Sequence, residues 1–310
     1  MQNDVILLNH LKEDMKSGNH HYIINISSFV LLAVIFLSMR NNGNSNSEKY
    51  ISIEKLTQSG LLKTEVKGLG GHQENCIEFS LKNLTNDSLF VLVEPGRRLT
   101  ADDSVYQDIF IVKKNLIALS PLESKTVSGY GFCCQSNDHS PAKDSKFSLG
   151  FMAPKDWIKL ATVIDENKFP VGAIQSAVWT VSNNHPLSSI YDENMESISL
   201  LRKTVAEIKG IEIPWYSLTF VKDTARLFSG KPERVFGDLD YYINSNSSIT
   251  INIRDKKGIL VKTLVKDDSK GPGKYQYKLN LLVKGWPKGE YTVYVFQDFS
   301  NLNLKKTFVL

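Results

Sequence analysis

The sequence predicts a mainly β protein with a helical segment: a β-sandwich carrying attached helices, followed by a small immunoglobulin-like β-sandwich. Three observations predict it. Residues 51–134 break into short β-rich runs separated by turn signals. Residues 153–210 change to helical spacing. From residue 238 onward strand runs return, with turns every 8–12 residues or so, the rhythm of a small sandwich. The composition, 42% hydrophobic and 23% charged, suffices for a real core. A net charge of +4, from 37 basic and 33 acidic residues, gives no electrostatic footprint for nucleic acid.

Taken in order, the first element is an address. Residues 22–39, YIINISSFVLLAVIFLSM, carry no charge, and Phe29–Leu37 is unbroken apolar. That run is short for a bilayer span and suits the apolar region of a signal peptide. Met15 and Lys16 would open a short basic lead-in, and the polar RNNGNSNSE follows. Residues 1–47 are therefore expected to be a signal or membrane anchor plus linker, cleaved or retained. The expected location is exported: periplasm, outer surface, or anchored through 22–39.

The second segment, 48–225, starts with LLKTEVKGL, CIEFSLKNL, SLFVLVEPG, QDIFIVKKN and KTVSGYGFC. Ile77, Phe79 and Leu81 alternate on one face, as in a half-buried antiparallel strand. Three helices follow. Trp157, Leu160, Ala161 and Ile164 form a stripe behind Pro154. Ile174, Ala177, Val178 and Val181 form a second, and Ile198, Leu201, Val205 and Ile208 a third that ends at Gly210. The third segment, 226–310, holds SSITINIRD, GILVKTLVK, KYQYKLNLLV, GEYTVYVFQ and LKKTFVL.

Cys76, Cys133 and Cys134 are the only cysteines. In an oxidising compartment Cys76 could bridge to Cys133 or Cys134, closing a loop of roughly 57 residues worth roughly 4 kcal/mol on the chain-entropy model. The other reading is three buried free thiols. His72 near Cys76 and His139 near Cys133 match no zinc spacing, and the acidic turns DDS (102–104) and KDDSKG (266–271) read as solvated. No metal or cofactor is expected. No Ser/His/Asp grouping stands out, so no catalytic residue is assigned. Trp215 and Tyr216, next to Pro214, read either as a ligand surface or as a plug between domains.

Two resemblances add to this. The segments IRDKKGILVKTL, GPGKY and KGEYTVY resemble the C-terminal immunoglobulin-like modules of exported Bacteroidetes proteins, related to flagellar-hook-cap and type IX sorting domains. That implies a sandwich of about 65 residues; the Asn-Pro entry usual in sorting domains is absent. The segments GYGFCC and AIQSAVWTVS are similar to the internal-thioester adhesion domains of bacterial surface proteins. That similarity implies Cys133 or Cys134 joined to Gln175, with Trp179 one turn further along the helix. A Gln-bearing helix that simply bonds its amide to backbone fits the same residues. The functional expectation is a non-catalytic exported or membrane-anchored protein for binding, adhesion or envelope assembly. Its partner would be a surface ligand or an envelope protein. The alternatives are a covalent adhesin and an accessory domain of an extracellular hydrolase.

Overall fold

The computed structural model describes residues 49–223 and 227–310. The apolar segment 22–39 lies outside the described residues. Among those described, no helix is long and apolar enough to cross a membrane.

Among the described residues the chain is mainly β, with one short helix near its start and the other helices between residues 155 and 209. In the first region one short sheet and one long one share a core. β1 (Ile51–Ser52), β4 (Leu89–Val93) and β7 (Asn115–Leu119) form a three-stranded sheet. The strands β2 (Leu62–Leu69), β3 (Gln73–Asn83), β8 (Ser124–Cys133), β6 (Ile109–Ile111), β5 (Arg97–Ala101) and β9 (Lys143–Met152) pair in that order. β9 then pairs back with β2, so the larger sheet closes into a barrel. Ile77, Phe79 and Leu81 bury against Val91, Val93, Ile117 and Leu119 of the small sheet, with Ile53 and Leu56 of α1 (Ile53–Gln58). The layering is that of a sandwich whose main sheet has curled shut. Closure needs sharp bends, and the ladders of β9 with β2 and with β5 both shift register where they bend. Gly150 sits at one such point: a Cβ there would lie 2.6 Å from the Arg98 carbonyl oxygen.

The GYGFCC stretch follows from its position on β8. Gly129, Gly131 and Cys133 face the barrel interior, while Tyr130, Phe132 and Cys134 face the helices. Small residues are required inside because Phe79 and Ile109 already fill that space.

α2 (Lys155–Glu166), α3 (Val171–Ser182) and α4 (Ser199–Lys209) cover the outer face of β6 and β8. Phe110, Val112, Phe132 and Cys134 meet Leu160, Ile164, Ile174, Val178, Leu201 and Val205 in a second core. α2 ends without a glycine cap. Instead Lys113 donates to the carbonyls of Ile164, Asp165 and Asn167 at 2.5, 3.0 and 2.9 Å, satisfying the orphan acceptors and opposing the dipole. The third helix is shorter than its stripe suggested, since Met195–Ile198 forms a 3₁₀ turn before α4. Gly210 ends α4 in the left-handed conformation, φ 64°.

The C-terminal sandwich packs a three-stranded sheet on a four-stranded one. β10 (Tyr216–Phe220), β11 (Pro232–Ile243) and β14 (Gly273–Leu282) form the first. β13 (Leu260–Lys270), β12 (Ser247–Asp255), β15 (Glu290–Gln297) and β16 (Asn301–Val309) form the second. Leu239, Leu279 and Leu281 meet Ile249, Ile251, Val293, Val295 and Phe308 between them. β10 lies on the N-terminal side of residue 225 in sequence, yet it adds to β11. Ile51–Leu310 forms one compact unit that holds both β assemblies.

Candidate functional site

All three cysteines are buried free thiols. Cys76 and Cys133 belong to the barrel core, and Cys134, one residue on, belongs to the helical core. The Cys76 thiol points to the Gly131 carbonyl at 3.5 Å and the Cys134 thiol to the Asp108 carbonyl at 3.4 Å. Burial pushes Cys76 and Cys134 up to about 12, and pushes Cys133 up as well. The thiolate is the nucleophile, so none of the three is activated at neutral pH. Gln175 is buried on α3 and donates Nε2 to the Cys133 carbonyl at 2.8 Å. It thus meets the main chain of Cys133, whose side chain lies in the barrel core.

One turn beyond Gln175, Trp179 lies between two histidines. Its ring is parallel to His72 at 6.5 Å and 5.6 Å from His185. His185 stacks on Phe228 at 3.9 Å, and Phe228 meets Phe220 of β10 at 4.7 Å. Ser136 Oγ and His185 Nε2 are 2.8 Å apart, a pairing absent from the sequence reading. A serine nucleophile needs its base oriented by a third group and an accessible hydroxyl. Ser136 is only 4% exposed, its N–H is donated to Asn183 Oδ1 at 3.1 Å, and His185 Nδ1 has no hydrogen-bond partner. The geometry fastens a loop to the helix end.

This cluster sets an acid limit. Burial lowers His185 to about 4 and lowers His72 as well. A folded-state pKa below the unfolded one gives stability that is full above the unfolded value, near 6.5, and is lost as pH falls through the folded value. His185 should therefore cost stability between pH 8 and pH 5, on the order of 1 kcal/mol once solvent screening of the partly exposed ring is allowed for. Urea unfolding at both pH values checks this: the His185→Gln chain should lose roughly that much less than wild type on acidification. Equal losses would contradict it.

Trp215 and Tyr216 serve the sandwich itself. Trp215 donates Nε1 to the Thr307 carbonyl at 2.6 Å, lies against Gly237, where a Cβ would come 2.8 Å from its ring, and carries the Lys306 ammonium at 5.1 Å. The Tyr216 hydroxyl accepts from the Val309 N–H at 3.0 Å. Both tie β10 to β16 across the open side of the two sheets. Buried Arg202 of α4 donates to Ser217 Oγ, the Pro214 carbonyl and the Tyr216 carbonyl at 2.5, 2.8 and 3.1 Å, joining the helices to the sandwich.

DDS is a turn, as expected, whereas Lys266–Lys270 of the second acidic stretch, expected as a turn, is part of strand β13. Asp102 accepts from Ser148 Oγ at 2.9 Å, and Asp268 pairs with Lys270 at 2.8 Å. Among the described residues no group of three or more His, Cys, Asp or Glu side chains is placed to hold a metal ion.

One surface groove of the C-terminal sandwich is absent from the sequence reading. It lies at one end of the sandwich. Asp240, Tyr241 and Tyr242 of β11 and Lys274, Tyr275 and Gln276 of β14 line a shallow, open groove of about 490 Å³. Leu239 and Ile243 point inward, so the alternation turns Asp240 and Tyr242 outward, and Tyr242 is 58% exposed. Gln276, opposite Asp240, donates Nε2 to its Oδ1 at 2.8 Å. A second, polar groove of about 470 Å³ is lined by Asn246, Ser247, Ser248, Ser269, Lys270, Gly271 and Asp298. The Tyr275 hydroxyl donates to the Gly271 carbonyl at 3.0 Å, and the Lys270 ammonium lies 5.8 Å from the Tyr275 ring.

No protein-family model matches the sequence, and no curated protein matches it. Among solved structures, the chain is similar to CBM51-2 in complex with GlcNAc and INT domains from Clostridium perfringens ZmpB. The identity is 12%, the match covers 80% of this chain and 79% of that one, and the TM-score is 0.16. A second structure of CBM51-2 and INT domains from the same protein is 11% identical, covers 77% and 73%, and has a TM-score of 0.14. Scores this low show neither a shared fold nor a shared ligand.

Proposed function

We propose that the chain is a non-catalytic, exported binding protein of the cell surface or envelope, and that the end of its C-terminal sandwich is the binding surface. The observation that carries this reading is the groove on β11 and β14. It places an exposed tyrosine beside a carboxylate–amide pair on a rigid sheet face. An aromatic ring supplies contact area at low entropic cost, and the fixed polar pair supplies direction. The buried, unactivated thiols support non-covalent binding rather than a covalent adhesin.

The test is an array of three immobilised probe classes: neutral polysaccharides, acidic polysaccharides and extended peptides. The wild-type chain should bind at least one of them, and Tyr242→Ala should weaken that binding about tenfold, or about 1.4 kcal/mol, with an unchanged melting temperature. Binding to every class left intact by Tyr242→Ala would refute the assignment of this surface.

A further inference from the structure

We infer that the free edge of β14 takes an extended acidic segment of a partner protein as an added strand, an inference that rests on the binding reading above but needs the strand edge rather than Tyr242. The hydrogen bonding of β14 shows which groups are free. The Val283 N–H donates to the Glu233 carbonyl at 2.8 Å, and this pair continues the β11–β14 register. In an antiparallel ladder bonded pairs alternate with non-bonded ones, so Leu281, Leu279, Tyr277 and Tyr275 bond to β11. The N–H and C=O groups of Lys274, Gln276, Lys278, Asn280 and Leu282 therefore point off the sheet, and among the described residues no hydrogen bond reaches them. Such a row is matched by another extended main chain.

The other three edges of this sandwich are blunted. β10 has five residues, and Arg202 holds its Tyr216 carbonyl. On β16, Trp215 bonds the Thr307 carbonyl and Tyr216 the Val309 N–H. β13 is bulged, its ladder with β12 shifting register at three places. Short, capped and bulged edges resist added strands. β14 runs ten residues with an unbroken register and none of these devices.

Charge selects the occupant. Residues 270–288 contain five lysines and no carboxylate side chain. Leu279 and Leu281 face the core, so Lys274 and Lys278 stand on the outer face, and among the described residues neither is in an ion pair. Asp238 and Asp240 lie one strand further in, and Asp240 is bonded to Gln276. A strand laid on this edge puts alternate residues beside the two lysines, where Asp or Glu is favoured. Its other residues turn inward beside the half-buried Tyr275 and Tyr277, where apolar side chains fit. A second copy of β14 offers no carboxylate, and continuing the sheet through it would gather the lysines of both copies on one face.

The experiment is fluorescence anisotropy of labelled peptides of about eight residues titrated with the full chain, a length near that of the strand edge. A peptide of alternating valine and glutamate should bind. Methylating its alternate amide nitrogens, which removes the donors that would face β14, should weaken binding about tenfold or more. Lys274→Glu combined with Lys278→Glu should weaken it about tenfold with an unchanged melting temperature, and should let the chain take up a valine–lysine peptide instead. Equal binding of the methylated peptide overturns strand addition. Equal binding by the charge-reversed chain overturns the acidic occupant. A chain that sediments as a dimer, and as a monomer once Lys278→Pro removes an edge donor, would put a second copy on β14 and overturn the partner. If the probe array binds in a Tyr242-dependent way and the valine–glutamate peptide does not bind, the inference fails while the groove reading stands. If that peptide binds through the two lysines and not through Tyr242, the inference stands without the groove. If nothing binds, both fail.

Discussion

Replacing Arg97 with alanine is expected to destabilise the protein by about 3–5 kcal/mol. Arg97 is 1% exposed, the largest of the fully buried side chains. Its Nε and Nη2 donate to the two carboxylate oxygens of Glu94, both at 3.0 Å, and its Nη1 donates to Glu54 Oε2 at 2.8 Å and the Gly150 carbonyl at 2.9 Å. One guanidinium thus joins α1, the turn between β4 and β5, and the bend of β9 that shuts the barrel. Its removal strands Glu94 and a strand carbonyl away from water, which costs more than the attraction lost. Lysine should not restore the loss, because an ammonium lacks the planar fork that matches Glu94. For a folded unit of this size the melting temperature should fall by about 10 °C. Urea unfolding with an unchanged m-value would assign the loss to stability. A change under about 1 kcal/mol would mean the barrel closes without this tie.

Gly131→Ala is the second large effect. The added Cβ would lie 2.5 Å from Ile109 Cγ2 and 3.3 Å from the Phe110 carbonyl oxygen. Ile109 is fully buried on the paired strand, and a β-branched side chain has little rotamer freedom with which to yield. The expected cost is about 1–3 kcal/mol. Gly172→Ala in α3 is the control, with nothing within 4 Å of the new methyl group. It should be neutral or stabilising by about 0.5 kcal/mol, since alanine favours the helix. Opposite signs in parallel melts would support the reading of GYGFCC as barrel packing; equal effects would remove it.

What the sequence made legible was local. The alternation at Ile77, Phe79 and Leu81 marks β3, and all three are buried. The stripes through Leu160, Ile164, Ile174, Val178, Leu201 and Val205 mark the face that each helix buries. Closure of the barrel was not legible, because it depends on β9. KDSKFSLGFM carries a weak alternation, and its two partners, β2 and β5, are set by geometry rather than pattern. RRLTA hid the buried cation inside a segment that looks polar. The Ser136–His185 pairing spans 49 positions and has no spacing signature. Trp215 and Tyr216 advertised themselves as aromatic, but composition cannot say whether an aromatic faces solvent or seals an edge. For the same reason Tyr242 was passed over: DYYIN reads as ordinary strand, and only the burial of Leu239 and Ile243 shows which tyrosine turns outward.

In the proposed function the cysteines and Gln175 are architecture and binding is non-covalent. Intact mass of the native protein, taken without reductant, before and after maleimide treatment with and without denaturant, tests this most directly. The predicted result is an unmodified native mass and three maleimide adducts only after unfolding. A native mass short by one ammonia would mean a Cys–Gln thioester, and a mass short by two hydrogens a disulfide. The first would contradict the non-covalent reading and the second the free thiols.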